Sequence, residues 1–369
     1  MDHSIANSKK ITLKKIHCRV VSVPLPRTIV GKVGRFTHWP LILIDLETKE
    51  GVVGRCYLEP YVEKLTRPIV GVVEELFGMF EGKTIGPFDL YEGAMKTLHL
   101  DGREGITIIA LSGLDMAVWD ALAKSVDLPM VSLLGGSPGD IRAYNTNGLW
   151  LNPIDKLGRE AKDLIDQGGF KALKLRLGRP TAAQDKEAIR TVREAVGDDV
   201  HIMTDFNQGF TLAEALQRMH YLDNEGLYWF EEPIAYDDFY NYAQITREIK
   251  TPIQIGENIY GSRTFLKAVM CRAADMYMPD LMRIGGVTGW LRAAAIAGAA
   301  GLPLSSHLYP RVSAQLLRVS ESADWLEWSD WAEAILAEPF TVKDGIATVP
   351  NTPGNSIDWD EAAIKKYQI

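Results

Sequence analysis

From about residue 140 the chain alternates short apolar runs with amphipathic helical runs, and it does so eight times. The apolar runs are "IRAYNTNG", "FKALKLRLG", "HIMTDFNQ", "LYWFEEP", "PIQIGEN", "ADMYMPD", "LPLSSHL" and "DWLEWS". That pattern is the signature of a parallel α/β barrel. In such a barrel the residues at the C-terminal strand ends converge on one mouth, where the active sites of this architecture lie. The polar residues that end these runs are Lys174 and Arg176, Asp205 and Asn207, Glu231 and Glu232, Glu257 and Asn258, Asp280, His307 and Glu327. From strand to strand they are spaced by 20 to 31 residues, about one βα unit, so they occupy equivalent positions and face each other.

One acid after a strand is ordinarily a helix cap or a solvated loop residue. Three acids in phase on three consecutive strands, Asp205, Glu231 and Glu257, would repel strongly in one cavity unless a cation sat between them. An all-oxygen set suits Mg²⁺ or Mn²⁺ rather than Zn²⁺. Lys174 and Arg176 are two apart on one strand and share its inner face; two neighbouring cations would depress each other's pKa. Asp280 raises a choice. It stands just before a helix and could be an N-cap, but an aspartate one strand ahead of His307 could also fix the imidazole tautomer and raise its basicity. The second reading is preferred.

Before the barrel, residues 11–58 read as strands, with a hairpin around "ETKEG", and residues 61–125 read as helices. The expected organisation is an α+β capping domain at 1–138 with a lid loop at 26–40, the barrel at 139–335, and a C-terminal segment at 336–369 that packs back on the capping domain. The 369-residue chain carries 46% apolar and 24% charged residues and a formal net charge of −8. An acidic chain without basic runs argues against nucleic acid and anionic membrane surfaces as partners. Cys18, Cys56 and Cys271 are too far apart for a ligand set or disulfide framework, which points to a reducing cytoplasm. "MDHSIANSKK" reads as a polar tail rather than a signal peptide. No membrane span is expected; "LRAAAIAGAAGLPL" comes nearest and reads as a buried helix running into a strand.

The motifs "FKALKLRLG", "MTDFNQ", "WFEEP", "QIGEN", "MPDLMRIGGVTGWLRAAA", "LPLSSHL" and "DWLE", in this order, resemble the enolase superfamily and within it the mandelate racemase/muconate lactonizing enzyme family. The resemblance spans nearly the whole chain. It implies a modified TIM barrel, (β/α)7β, with an N-terminal α+β capping domain. It implies Mg²⁺ on Asp205, Glu231 and Glu257, an Asp280–His307 dyad as base, Glu327 as the acid that hydrogen-bonds the substrate carboxylate, Lys174 beside that carboxylate, and a homo-oligomer. Two departures stand out. The racemase pattern is Lys-x-Lys, and here the second position is Arg176, a poor base and a good anion anchor. The lid carries Arg35 and His38 where the racemase is apolar, which suggests a more polar substrate. Asn207, Asn147, Trp150 and Tyr57 are further candidates for substrate contacts.

The expected chemistry is removal of the proton α to a carboxylate through a metal-stabilised enediolate. Racemisation needs a base on each face of the substrate. Dehydration needs one base and an acid near the β-hydroxyl, and one histidine can serve as both. With Arg176 in place of a lysine, dehydration of an acid sugar or related polyhydroxy acid to a 2-keto-3-deoxy acid is the leading reading. Racemisation or epimerisation of a 2-hydroxy acid is the alternative, and a catalytically idle metal-binding relative is the reading from another class.

Overall fold

The computed structural model describes residues 10–32 and 34–369; the polar stretch at 1–9, expected to be a tail, lies outside the described residues. The N-terminal unit is built on an antiparallel sheet of β1 (Ile11–Gly31), β2 (Gly34–Thr48), β3 (Val53–Leu58) and β4 (Thr84–Ile85), in the order β3-β2-β1-β4. The stretch expected to be a lid loop is instead the far end of a two-stranded ribbon. Pairing of β1 with β2 shifts register between Pro24 and Ile29 and then resumes at Ile29↔Phe36 and Val30↔Arg35. The β-branched run Thr28, Ile29, Val30 favours extended backbone. Pro26, which has no N–H to give to a ladder, falls in the interrupted stretch.

The helix Ile106–Ser125 packs against β3 and β2. It is long and apolar enough to cross a membrane, a feature the sequence reading passed over, but it is buried inside the molecule. Two acids in it are fully buried and act as staples. Asp120 accepts from the backbone N–H groups of Arg55 and Asn355, both at 2.7 Å. Asp115 accepts from Thr288 N at 2.9 Å and Thr288 Oγ1 at 2.6 Å, at the start of the barrel helix Gly286–Ala299. That helix has no cap of its own side chains, so Asp115 caps it from the other unit. The close approach needs glycine: at Gly286, whose φ is +66°, a Cβ would come within 2.5 Å of Asp115 Oδ2.

The barrel strands are β5 (Asp140–Asn145), β6 (Ala172–Arg176), β7 (His201–Asp205), β8 (Trp229–Glu231), β9 (Ile253–Ile255), β10 (Met276–Tyr277) and β11 (Leu326–Trp328). Neighbours from β5 to β10 are parallel, and β11 pairs with β5 to close the circle. The seventh apolar run, "LPLSSHL", forms no ladder. It makes single bridges, Leu304 to Tyr277 and Ala323, and His307 to Asp280. Pro303 at its start cannot donate to a neighbour. Two residues below the site-facing positions, Ala172, Met203 and Trp229 form a closed layer with Tyr144, Met276 and Trp325. The remaining strands, β12 (Val342–Lys343) and β13 (Ile346–Thr348), form a hairpin that adds to β5. Beyond it, Trp359 Nε1 donates to Asp45 of β2 at 2.8 Å, and the helix Glu361–Tyr367 lies on β1. The C-terminal segment thus divides its contacts between barrel and cap.

Candidate active site

Strand register brings the first residues together. Arg176 on β6 lies opposite Asp205 on β7, and Asp205 lies opposite Glu231 on β8. Glu257 follows β9 after Gly256, which takes φ +137° and where a Cβ would strike the Met278 backbone at 2.9 Å. Glycine there lets the chain turn and aim Glu257 inward. Asp205, Glu231 and Glu257 each present a carboxylate oxygen, all within 4.8 Å of one another. Three converging carboxylates with no thiolate or imidazole in the set fit a hard divalent cation such as Mg²⁺. Asn207 braces Asp205 through its N–H to Oδ1 at 2.7 Å and its Nδ2 to Oδ2 at 2.8 Å. Trp229 Nε1 donates to Glu231 Oε2 at 3.1 Å. Glu232 turns away with φ +36° and accepts from Asn258 Nδ2 at 2.7 Å; burial pushes its carboxyl up to about 8.

Lys174 lies 2.9 Å from Glu231 Oε1, 2.7 Å from Glu327 Oε1 and 3.8 Å from Asp205 Oδ2. Burial alone would lower its pKa, but these three carboxylates outweigh it and hold the ammonium well above its usual range. The expected mutual depression of two neighbouring cations is therefore overruled: Arg176 is the smallest of the named influences on Lys174. The Lys174–Glu327 pair is buried on both sides. Against burial, Lys174 and His307 hold the Glu327 carboxyl down at about 2. An arriving substrate carboxylate would push it back up.

Arg176 is tied down. Nη1 donates to Thr146 O at 2.8 Å and Gly148 O at 3.1 Å, and Nη2 donates to Thr146 Oγ1 at 2.6 Å. The guanidinium carbon sits 3.8 Å over the Trp150 ring. Only Nε is left without an acceptor, 4.0 Å from Asp205 Oδ2 and next to the metal cluster. On the other side, His307 Nδ1 pairs with Asp280 Oδ2 at 2.7 Å, which leaves Nε2 facing the site, 3.1 Å from Glu257 Oε2. Burial would lower the imidazole, but Tyr61, Glu257, Glu327 and Asp280 hold it well above its ordinary value. Asp280 is also an N-cap: its Oδ1 accepts from Arg283 N at 3.0 Å. Both readings of Asp280 hold at once.

Cap and barrel enclose a cavity of about 510 Å³. Its floor holds Lys174, Arg176, Asp205, Asn207, Glu257, His307 and Glu327. Its roof is apolar and aromatic: Ile29, Phe36, Trp39, Tyr61, Leu65, Ile106 and Ile109 from the cap, with Trp150, Met282 and Trp331 from the barrel side. Arg35 and His38 are exposed and do not line it. Tyr57 is buried in the core, stacked on Tyr309 with ring centroids 5.2 Å apart. Asn147 is buried behind the wall and accepts from Asp330 N at 3.1 Å. Of the candidate substrate contacts, Trp150 and Asn207 line the cavity. The sequence reading missed Tyr61 and Arg283. Arg283 stands three residues after Asp280, one helical turn on, which was a usable signal.

Residues 15–135 match the N-terminal domain of the mandelate racemase/muconate lactonizing enzyme family, and residues 156–363 match the enolase C-terminal domain-like family. An enolase from alpha proteobacterium BAL199, solved with bound Mg, is 47% identical with a TM-score of 0.95, covering 97% of this chain and 100% of that one. An enolase from Bradyrhizobium, solved with magnesium and mandelic acid, is 38% identical with a TM-score of 0.94, covering 98% of this chain and 99% of that one. The L-talarate/galactarate dehydratase of Salmonella typhimurium is 30% identical over 269 residues, 73% of this chain and 67% of that protein. This chain belongs to the mandelate racemase/muconate lactonizing enzyme family of the enolase superfamily and is a Mg²⁺-dependent enzyme of that kind.

Proposed function

We propose that this chain removes the proton α to a substrate carboxylate with His307 as its only base, and that the reaction ends in loss of water from a 2,3-dihydroxy acid. The observation that carries this reading is the state of Arg176. Three hydrogen bonds to Thr146 and Gly148 and the stack on Trp150 hold a guanidinium where a second base would have to stand. A guanidinium keeps its proton. Lys174, its neighbour, is paired with Glu327 at 2.7 Å and Glu231 at 2.9 Å. That face of the substrate has cations and no base.

Asp205, Glu231 and Glu257 would hold the Mg²⁺, which when bound supplies positive charge where negative charge develops on the carboxylate oxygens. Lys174 and the free Nε–H of Arg176 bind the same carboxylate from the side. Seating that carboxylate beside Glu327 would raise the Glu327 carboxyl, which takes up a proton from solvent and shares it between the two groups. His307 Nε2 takes the C2 proton, and Asp280 fixes the ring and stabilises the imidazolium. His307 then gives that proton to the oxygen departing from C3 on the same face, and the resulting enol becomes a 2-keto-3-deoxy acid.

Acid sugars are the polyhydroxy members of this substrate class, and the 30%-identical Salmonella protein is named for such a reaction. The roof of this cavity narrows the expectation, because a chain of hydroxyls beyond C3 would lose its water against Ile29, Phe36, Leu65, Ile106 and Ile109. A tail with an apolar or aromatic end fits that wall better. The same wall favours the second reading, racemisation of an aryl 2-hydroxy acid, as does the mandelic acid bound to the Bradyrhizobium neighbour. A panel of 2,3-dihydroxy acids, acid sugars and aryl 2-hydroxy acids incubated with Mg²⁺ in D₂O decides between them. Keto-acid formation from a 2,3-dihydroxy acid is expected. Interconversion of aryl 2-hydroxy acid enantiomers without any keto acid would replace this proposal with the racemase.

A further inference from the structure

Arg283 is a third cation in the cavity, on the side opposite Lys174 and Arg176. It shares two of His307's neighbours: its Nη1 donates to Glu257 O at 3.0 Å and lies 3.7 Å from Asp280 Oδ2. Its guanidinium carbon stands 4.9 Å over the ring of Tyr61. The residue is 8% exposed, and the exposed part lines the cavity. Among the described residues, Nε and Nη2 have no acceptor. Neither nitrogen is among the sealed-off atoms of the interior, so both are open to an acceptor that enters the cavity, and a hydrogen bond from a guanidinium is a strong one. Asp280 and Glu257 attract its charge, but both act on the Nη1 side already described.

We propose that Arg283 binds an oxygen carried on C3 of the substrate, on the face served by His307, and so selects a 2,3-dihydroxy acid over its 3-deoxy counterpart. This assignment rests on the elimination reading above and deepens it. Asp280 orients both the base and the cation, the first through Oδ2 and the second through Oδ1 and the helical turn it caps. The C2–H bond breaks first, and its proton goes to His307 Nε2. The C3–O bond then breaks, and its electron pair stays on the oxygen that Arg283 holds. His307 protonates that oxygen, which leaves as water, while C2 and C3 become doubly bonded as the enol. No oxidant, reductant or second substrate is needed. Fixed donors on the departing oxygen stabilise the charge that develops there.

The test compares two probes that differ by one oxygen and carry an apolar end suited to the roof: 2,3-dihydroxy-3-phenylpropanoate, as each stereoisomer, and 2-hydroxy-3-phenylpropanoate. Affinity is measured by calorimetry on the Mg²⁺-loaded protein, for wild type, Arg283→Met and Arg283→Lys. The wild type is expected to bind one dihydroxy stereoisomer about tenfold or more tighter than the 3-deoxy acid of the same C2 configuration, the value of a hydrogen bond to a charged donor. Arg283→Met should erase that ratio while changing 3-deoxy affinity by less than about threefold, and Arg283→Lys should keep part of it. If Arg283→Met does not fold, the fall in the ratio for Arg283→Lys carries the test. Equal weakening of both probes would show that Arg283 acts only by positioning Asp280 and Glu257, and would overturn the assignment. So would a wild type with no preference for any dihydroxy stereoisomer. Failure of the underlying reading looks different: the dihydroxy probe binds through Arg283 yet no 2,3-dihydroxy acid in the panel yields a keto acid.

Discussion

Asp280 holds two partners with its two oxygens, the Nδ1 of His307 and the N–H of Arg283. Asparagine caps a helix about as well as aspartate but cannot stabilise an imidazolium. Asp280→Asn should therefore leave the fold and Mg²⁺ binding intact while slowing C2 proton exchange by at least about 100-fold, the usual scale of general acid–base assistance. Thermal melts with and without Mg²⁺, run beside the exchange assay, separate the two effects; a variant that loses Mg²⁺ binding together with exchange would contradict the assignment. At this scale the sequence was legible where spacing and strand direction decide the outcome, as for Asp205, Glu231, Glu257 and the Asp280–His307 pair. It was not legible where a stretch that reads as a loop is strand. Alternation turns Arg35 to the face opposite Phe36, which enters the cavity, and His38, two residues on, stays exposed. The charge state of Lys174 was also hidden, because it depends on Glu231, Glu327 and Asp205 from three other strands.

Among the elements, the helix Gly286–Ala299 is capped by Asp115 from the helix Ile106–Ser125. Removing that acceptor leaves the Thr288 N–H unpaired in the interior and its hydroxyl proton without an acceptor, while the hydroxyl oxygen still accepts from Trp119 Nε1 at 2.9 Å. Asp115→Ala should cost about 2 kcal/mol of stability, read from chemical denaturation, with a change below about 0.5 kcal/mol arguing against the cross-unit cap. Burial, only partly offset by the Thr288 bonds, raises the Asp115 carboxyl from 3.8 to about 7. A raised acid stabilises the folded state most below its unfolded value and loses that contribution as pH rises through its folded value. The stability of wild type relative to Asp115→Asn should therefore improve as pH falls from about 8 toward 4. A difference that is flat or opposite in slope would contradict a proton held on Asp115. The eight apolar runs were readable as barrel units. That "LPLSSHL" would make bridges and no ladder was not, since periodicity does not report pairing.

For the whole molecule, the cavity lies where cap and barrel meet: its floor carries the acids and cations, and β1, β2 and the helix Ile106–Ser125 contribute to its roof beside residues of the barrel. Mg²⁺ binding to the folded chain alone should raise its stability by about 2.7 kcal/mol at a hundredfold excess over Kd. That gain should vanish in Glu257→Gln; an undiminished Mg²⁺-dependent rise in Tm in that variant would remove Glu257 from the ligand set. The account as a whole stands on a site that works from one face. Its most direct measurement is deuterium incorporation from D₂O at C2 into each of two C2 epimers of one turned-over acid, for wild type and for Arg176→Lys. Wild type is expected to exchange one epimer only. Arg176→Lys, which places a titratable amine on the other face, should introduce measurable exchange of the second epimer. Comparable exchange of both epimers by wild type would contradict the account and make the Lys174–Arg176 side a working base.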